Sequence, residues 1–158
     1  MKSLLLILPI LLIFSSCKQA ESEFHLIPFG FEGSITIIFD CPNGEELVRD
    51  GNHRIYKIPK DGILKLKTHG NDGVLTSGAQ RFFYIDSLGN KTEIEELLDN
   101  TQETTRDKTV VSNYLIYGDC VFNERQIVGS AVQYIVSSYP KREQIFKNKI
   151  NPCNLYCK

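Results

Sequence analysis

The chain lacks a strongly basic stripe. Its 18 lysines and arginines stand against 19 acidic residues, for a net charge of −1. A nucleic-acid-binding surface would concentrate positive charge on one face, so no nucleic-acid partner is expected. The only basic concentration is KREQIFKNKI, residues 141–150, which reads as the solvated face of a helix near the C-terminus. A phosphate-binding loop and a dinucleotide fingerprint are also absent. Ser77, in TSGA, lacks the flanking glycines of a nucleophile elbow, and no Ser, His and Asp set has a catalytic spacing. The histidines, His25, His53 and His69, are too scattered for a metal-ligand pair, and each reads as solvated or strand-flanking. HGNDG, residues 69–73, carries a few oxygen donors but not the fuller series and distal glutamate of a calcium loop, so it reads as a surface loop. No internal repeat is visible. No cofactor is expected, and no residue is assigned to catalysis or to a metal.

A bilayer-spanning helix is missing too. The longest apolar run, residues 4–14, falls well short of the roughly 20 residues needed to cross a membrane. With basic Lys2 before it, and Ser15 and Ser16 after it just ahead of Cys17, the run has the three parts of an export signal. The pattern resembles the lipobox of bacterial lipoproteins, in which a hydrophobic residue and two small ones precede the cysteine that receives a diacylglyceryl group. Phe14 stands where leucine is usual. Residues 1–16 are therefore expected to be a lipoprotein signal peptide and Cys17 the lipidated first residue. The competing reading is an ordinary secretory signal cut elsewhere, or an uncleaved anchor. Several acyl chains, at about 0.8 kcal/mol per buried CH₂, would make such anchoring permanent. KQAESE, residues 18–23, has no apolar pattern, so residues 17–23 read as a solvated tether. Residues 24–158 then suit one domain with a core of ordinary size.

Four further cysteines, Cys41, Cys120, Cys153 and Cys157, form an even set in an exported chain, which favours disulfides with three possible connectivities. A Cys₄ zinc site is the alternative, but only Cys153 and Cys157 are close in sequence and the usual pattern has two short pairs. If bridges form, Cys41 or Cys120 ties the C-terminal tail to the sheet.

The body of the chain alternates in the manner of strands. In SITIIFD, Ile35, Ile37 and Phe39 share one face, and Ser34, Thr36 and Ile38 the other. Pro42, Asn43 and Gly44 mark a turn. HRIYKIP is a second strand ended by Pro59, PKDG a turn, and residues 63–67 a third strand with Leu64 and Leu66 inward. RFFYID and the residues after it form a hairpin around Leu88, Gly89 and Asn90. Thr92 and Glu95 fit a capping box that would begin a short helix, while the alternative continues the strand to Ile94; residues 93–107 stay open between helix and loop. Residues 110–122 and AVQYIVSSY, residues 131–139, resume strand character. Pro140 opens a helix that Asn151 and Pro152 stop. About seven strands with little helix predict an all-β fold, a single β-sandwich or small barrel with a short C-terminal helix.

Residues 24–67, with LIPFGFEG, PNG and IPKDGIL, followed by FFYIDSLG, are similar to a family of uncharacterised bacterial lipoproteins found largely among Bacteroidota. The matching positions are Leu26, Ile27, Pro28, Gly30, Phe31 and Gly33; Pro42 to Gly44; Ile58, Pro59, Gly62, Ile63 and Leu64; and Phe83 to Asp86 with Gly89. Cys41 and the cysteine-bearing tail depart from the family pattern. The resemblance implies an envelope location and a β-rich domain, and carries over no catalytic residue.

Phe82, Phe83 and Tyr84 crowd one strand, and a two-faced strand must turn some of them outward, making them a candidate binding face; filling of the core is the plainer reading. The expected function is a non-enzymatic cell-envelope lipoprotein. It would be lipid-anchored to the outer membrane, on its periplasmic or surface face, and would contact an envelope protein or a glycan. The alternative is a small extracytoplasmic hydrolase or metal-dependent enzyme with a site assembled from dispersed residues.

Overall fold

A computed structural model describes residues 19–73, 75–97, 108–117, 120–122, 125–127 and 130–155, with side chains described outside residues 113–129 and Cys153. The leader, Cys17, Cys157 and residues 98–107 lie outside the described residues, as do the side chains of Cys120 and Cys153.

Along the chain come β1 (Ser22–Pro28), β2 (Gly33–Ile38), β3 (Val48–Asp50), β4 (His53–Lys57), β5 (Ile63–Lys65), β6 (Gln80–Ile85), β7 (Lys91–Ile94), β8 (Glu96–Leu97), β9 (Thr109–Tyr117), β10 (Cys120–Phe122), β11 (Arg125–Ile127), β12 (Ala131–Ser138), α1 (Tyr139–Lys147) and α2 (Pro152–Leu155). Two five-stranded sheets result, ordered β3-β4-β1-β6-β7 and β5-β2-β12-β9-β8, with β10 and β11 as a separate hairpin. Both are mixed. β1 lies parallel to β4 and β6 in one, and β2 to β5 and β8 to β9 in the other, while the remaining pairs are antiparallel. The inner faces meet in one core, so the architecture is a β-sandwich and not a closed barrel.

The alternation in β2 explains the packing. Ile35, Ile37 and Phe39 enter the main core with Ile27, Tyr56 and Phe82, whereas Ile38 turns the other way into a smaller cluster with Cys41 and Ala131, against which Leu155 of α2 packs. Each such aliphatic or aromatic side chain contributes about 1.5–3 kcal/mol on full burial. The turns form where Pro, Asn, Asp and Gly stand. Gly44 N–H donates to the Cys41 carbonyl, Gly62 N–H to the Pro59 carbonyl, and Asp86 caps the β6–β7 hairpin by accepting from the Leu88 and Asn90 N–H groups. α1 begins with Pro140 in its first turn and buries no side chain completely, in keeping with a solvated basic face.

Two expectations change, and the choice left open at residues 91–97 is decided for the strand. The strands number twelve rather than about seven among the described residues, because several are only two or three residues long and are made by pairing, not by local pattern. Residues 91–97 are extended, not helical. Thr92 and Ile94 pair with Tyr84 and Phe82, and Glu93 accepts both Arg81 guanidinium hydrogen bonds; these cross-strand contacts outweigh a single capping box worth about 1 kcal/mol. The segment 18–23 is not all solvated spacer. Ala20 and Glu23 are buried, and β1 begins at Ser22 because its side chains find polar partners inside the fold.

Gly62 and Gly78 share a left-handed φ of 77°, but a Cβ on Gly62 would lie 2.5 Å from the Ser34 carbonyl oxygen, while one on Gly78 would meet nothing within 4 Å. Gly78→Ala is expected to cost about 1 kcal/mol from backbone strain alone. Gly62→Ala should cost about 1–3 kcal/mol more, because a packed backbone must shift. Urea denaturation of the two variants side by side measures the difference.

Candidate functional site

β1 alternates Glu23, His25 and Ile27 toward the core. Two of these three are ionisable, and both are inside. His25 is fully buried and Glu23 is 5% exposed. Since β4 and β6 flank β1 in parallel register, Tyr56 and Gln80 reach the same space, and β12 brings Tyr134 from the facing sheet.

The Glu23 carboxylate is held by donors. Its Oε1 accepts from Tyr56 Oη at 3.0 Å and Asn71 Nδ2 at 2.8 Å; its Oε2 accepts from Gln80 Nε2 at 2.8 Å and lies 3.5 Å from His25 Nε2. Gln80 Nε2 also donates to Tyr134 Oη at 2.7 Å. Asn71 fastens the loop to the start of β1, accepting from the Glu21 N–H and donating to the Glu21 carbonyl. Beside this network Arg54, 8% exposed, pairs with Glu21 and donates to the His69 carbonyl. A register shift between Gln133 and Tyr134 against β9 interrupts the ladder next to the network, a device that commonly re-aims a side chain. Tyr134 and Val136 face the core, while Gln133 donates to Thr36 Oγ1 and to the Ile150 carbonyl.

A cavity of about 350 Å³ opens against this network. Glu23, Gln80 and Tyr134 form its polar floor, Phe39 and Val132 its apolar wall, and the loop carrying Asn71, Asp72 and Leu75 its rim. Two larger hollows, of about 440 and 640 Å³, are lined in part by ion pairs at the surface: Lys141 with Glu32 in one, Arg81 with Glu93 and Lys108 with Glu95 in the other.

The ionisable groups here have settled charge states. Burial would raise the Glu23 carboxyl, but its contact with His25, by hydrogen bonding and by charge, and the hydrogen bonds from Asn71 and Gln80 hold it below the usual carboxylate range. Burial lowers His25 despite its contact with Glu23, so the imidazole is neutral at pH 7. Its Nδ1 is buried without a hydrogen-bond partner. Burial, followed by the Glu23 charge, raises the Tyr56 and Tyr134 hydroxyls. Every shift runs away from neutrality.

Of the sequence-predicted positions, Phe82, Phe83 and Tyr84 do not share one face, because successive residues of a strand point to opposite sides. Phe82 is core, stacked on His25 with ring centroids 4.4 Å apart, and Tyr84 donates to the Phe31 carbonyl. Phe83 packs edge-on against Phe24 under the Arg81 guanidinium, and Phe24 stacks on His53. His25 corrects the solvated or strand-flanking reading of the histidines; His69, by contrast, is a surface residue paired with Asp40. The HGNDG segment is a loop as expected, and among the described residues no group of three or more His, Cys, Asp or Glu could hold a metal. Glu23, Asn71, Gln80 and Tyr134 were not singled out in the sequence. The one available signal was a Glu and a His at alternate positions of an otherwise apolar strand, which is costly unless both are partnered.

Since His25 stays neutral when folded, the unfolded chain takes up a proton there that the folded chain refuses. Stability is therefore complete above the ordinary histidine range and falls as pH drops below it, by up to about 1.4 kcal/mol per pH unit for one proton. Glu23, held low, adds a loss of the same sign once pH falls through the carboxylate range. Chemical denaturation at pH 7 and pH 5 should show a loss of about 1–2 kcal/mol that is markedly smaller in His25→Phe, which keeps the stacking on Phe82.

Comparison with solved structures gives a crystal structure of a Bacillus anthracis protein provisionally named a lipoprotein, with a TM-score of 0.57, 15% identity, and coverage of 87% of this chain and 89% of that one. At that identity the likeness concerns the fold. No curated protein matches the sequence. A family of unknown function, DUF6843, matches residues 19–127, more than half of the chain, and the chain belongs to that family.

Proposed function

We propose that this is a bacterial cell-envelope lipoprotein whose β-sandwich is a non-enzymatic binding module, anchored to the outer membrane through a lipid on Cys17 and contacting an envelope protein or a glycan. The observation that carries the binding role is the cavity at Glu23, where a buried carboxylate, the Gln80 amide and the Tyr134 hydroxyl form a polar floor beside the apolar Phe39 and Val132. The leader before Cys17 supports the anchor, and so does the fold shared with the Bacillus anthracis protein. Among the described residues no helix is long and apolar enough to cross a membrane. Only residues 18 and 19 separate Cys17 from buried Ala20. At about 3.6 Å per residue this holds the sandwich within roughly 11 Å of the lipid attachment point, close against the headgroups.

The reading includes disulfides among Cys41, Cys120, Cys153 and Cys157. Cys41 is fully buried in the cluster that Leu155 packs against, and α2, which contains Cys153, contacts β10, which begins at Cys120. α2 therefore packs against both β10 and the Cys41 cluster, which supports the reading. A bridge is typically worth about 2–4 kcal/mol.

Two measurements test the reading. Expressed in a lipid-modifying host, the full chain should enter the detergent phase in phase partitioning, and its intact mass should be that of a chain starting at an acylated Cys17. Cys17→Ala should move to the aqueous phase; membrane retention of that variant defeats the anchor. Alkylation before and after reduction should label the four remaining cysteines only after reduction.

A further inference from the structure

We infer that the cavity rimmed by Asn71, Asp72 and Leu75 is a binding site for a small organic cation, a primary ammonium or guanidinium group on a short apolar stem, with Glu23 as its counter-charge. The inference rests on the binding reading above and names its ligand class.

The carboxylate of Glu23 is deeply buried, yet its partners within hydrogen-bond distance, Tyr56, Asn71 and Gln80, are neutral donors. His25 is stacked among Phe82, Tyr56 and Tyr134 and presents Nε2 at 3.5 Å. Buried charges are ordinarily paired with an opposite charge or a metal, because taking an ion out of water is costly. Here the donors orient the anion without neutralising it. Arg54 adjoins Tyr56, and its guanidinium pairs with Glu21 and donates to the His69 carbonyl rather than to Glu23.

The cavity adds what such an anion lacks. Among its described lining residues are two acids, Glu23 at the floor and Asp72 at the rim, and no Lys, Arg or His. Its volume, about 350 Å³, falls at the small end of ligand pockets, roughly 300–1,000 Å³. The wall is apolar and aromatic, with Phe39, Val132 and Tyr134, which suits a stem and the face of a cation. Asp72 and Leu75 are exposed, so the mouth is accessible from solvent. Negative potential at both ends of an apolar pocket selects positive ligands and rejects carboxylates of the same shape.

The test uses agmatine and benzylamine as cationic probes, with benzyl alcohol and benzoate as neutral and anionic counterparts of the second. Each is titrated into the full chain in detergent, read by calorimetry and by the shift of the thermal midpoint. The expected result is saturable binding of at least one amine and of neither counterpart, weakening with salt. Asp72→Lys and Leu75→Trp alter exposed loop positions and keep the fold; the first reverses the rim charge and the second narrows the mouth, and each should weaken amine binding about tenfold or more. Glu23→Gln, where it folds, should abolish it. Failure of both amines to bind, equal binding of benzyl alcohol, or undiminished binding in both loop variants overturns the assignment. Such a failure is distinct from failure of the lipoprotein reading, which the partitioning of Cys17→Ala decides without any ligand.

Discussion

The Glu23 carboxylate sits inside the sandwich, held by three other stretches of chain, Tyr56 from β4, Asn71 from the loop before β6 and Gln80 at the start of β6, and by His25 two residues along its own strand. A buried anion costs several kcal/mol unless its lone pairs are satisfied, so these contacts act as a register pin. A one-residue slip of β1 would expose Ile27 and bury the Phe24 side instead, and would leave the tyrosine, asparagine and glutamine without their acceptor. The parallel pairing of β1 with both β4 and β6 follows, since only that register brings Tyr56 and Gln80 to the same carboxylate.

The same constraint explains the loop of residues 69–79. A glycine-rich segment, HGNDG followed by TSGA, would ordinarily be loose. Asn71 instead makes two backbone hydrogen bonds to Glu21 and a third to Glu23, and Gly70 lies so close to Ser130 that a Cβ there would come within 2.8 Å of its hydroxyl. The loop is thereby held over the cavity as a rim. The network that specifies the fold also lines this pocket, since Glu23, Asn71 and Gln80 belong to both.

Much of the sandwich was legible in local pattern. The β2 alternation, the inward Leu64 and Leu66, the PNG and PKDG turns, the hairpin at Gly89 and the helix opened by Pro140 all appear where side-chain period and turn chemistry place them. The site was not legible. Glu23 lay within a polar run that reads as tether, because KQAES before it has no apolar period, and only pairing with β4 and β6 draws it inside. His25 read as solvated or strand-flanking because the three histidines are scattered along the chain. The capping box at Thr92 was outweighed by cross-strand partners, Phe82, Tyr84 and Arg81, about ten residues away, which a short sequence window does not contain.

What the amino-acid sequence determined alone was the class of fold and the places where it turns, since period-two alternation and the backbone limits of Pro, Asn and Gly act over a few residues and need no partner. What only the tertiary structure decided was which strands are neighbours, which face of Phe82, Phe83 and Tyr84 is core, and that Glu23, Gln80 and Tyr134 meet at one cavity. Those outcomes depend on burial and hydrogen bonding between segments up to 111 residues apart, as Glu23 is from Tyr134. The cost of a buried charge is decided by partners that no local stretch of chain can supply.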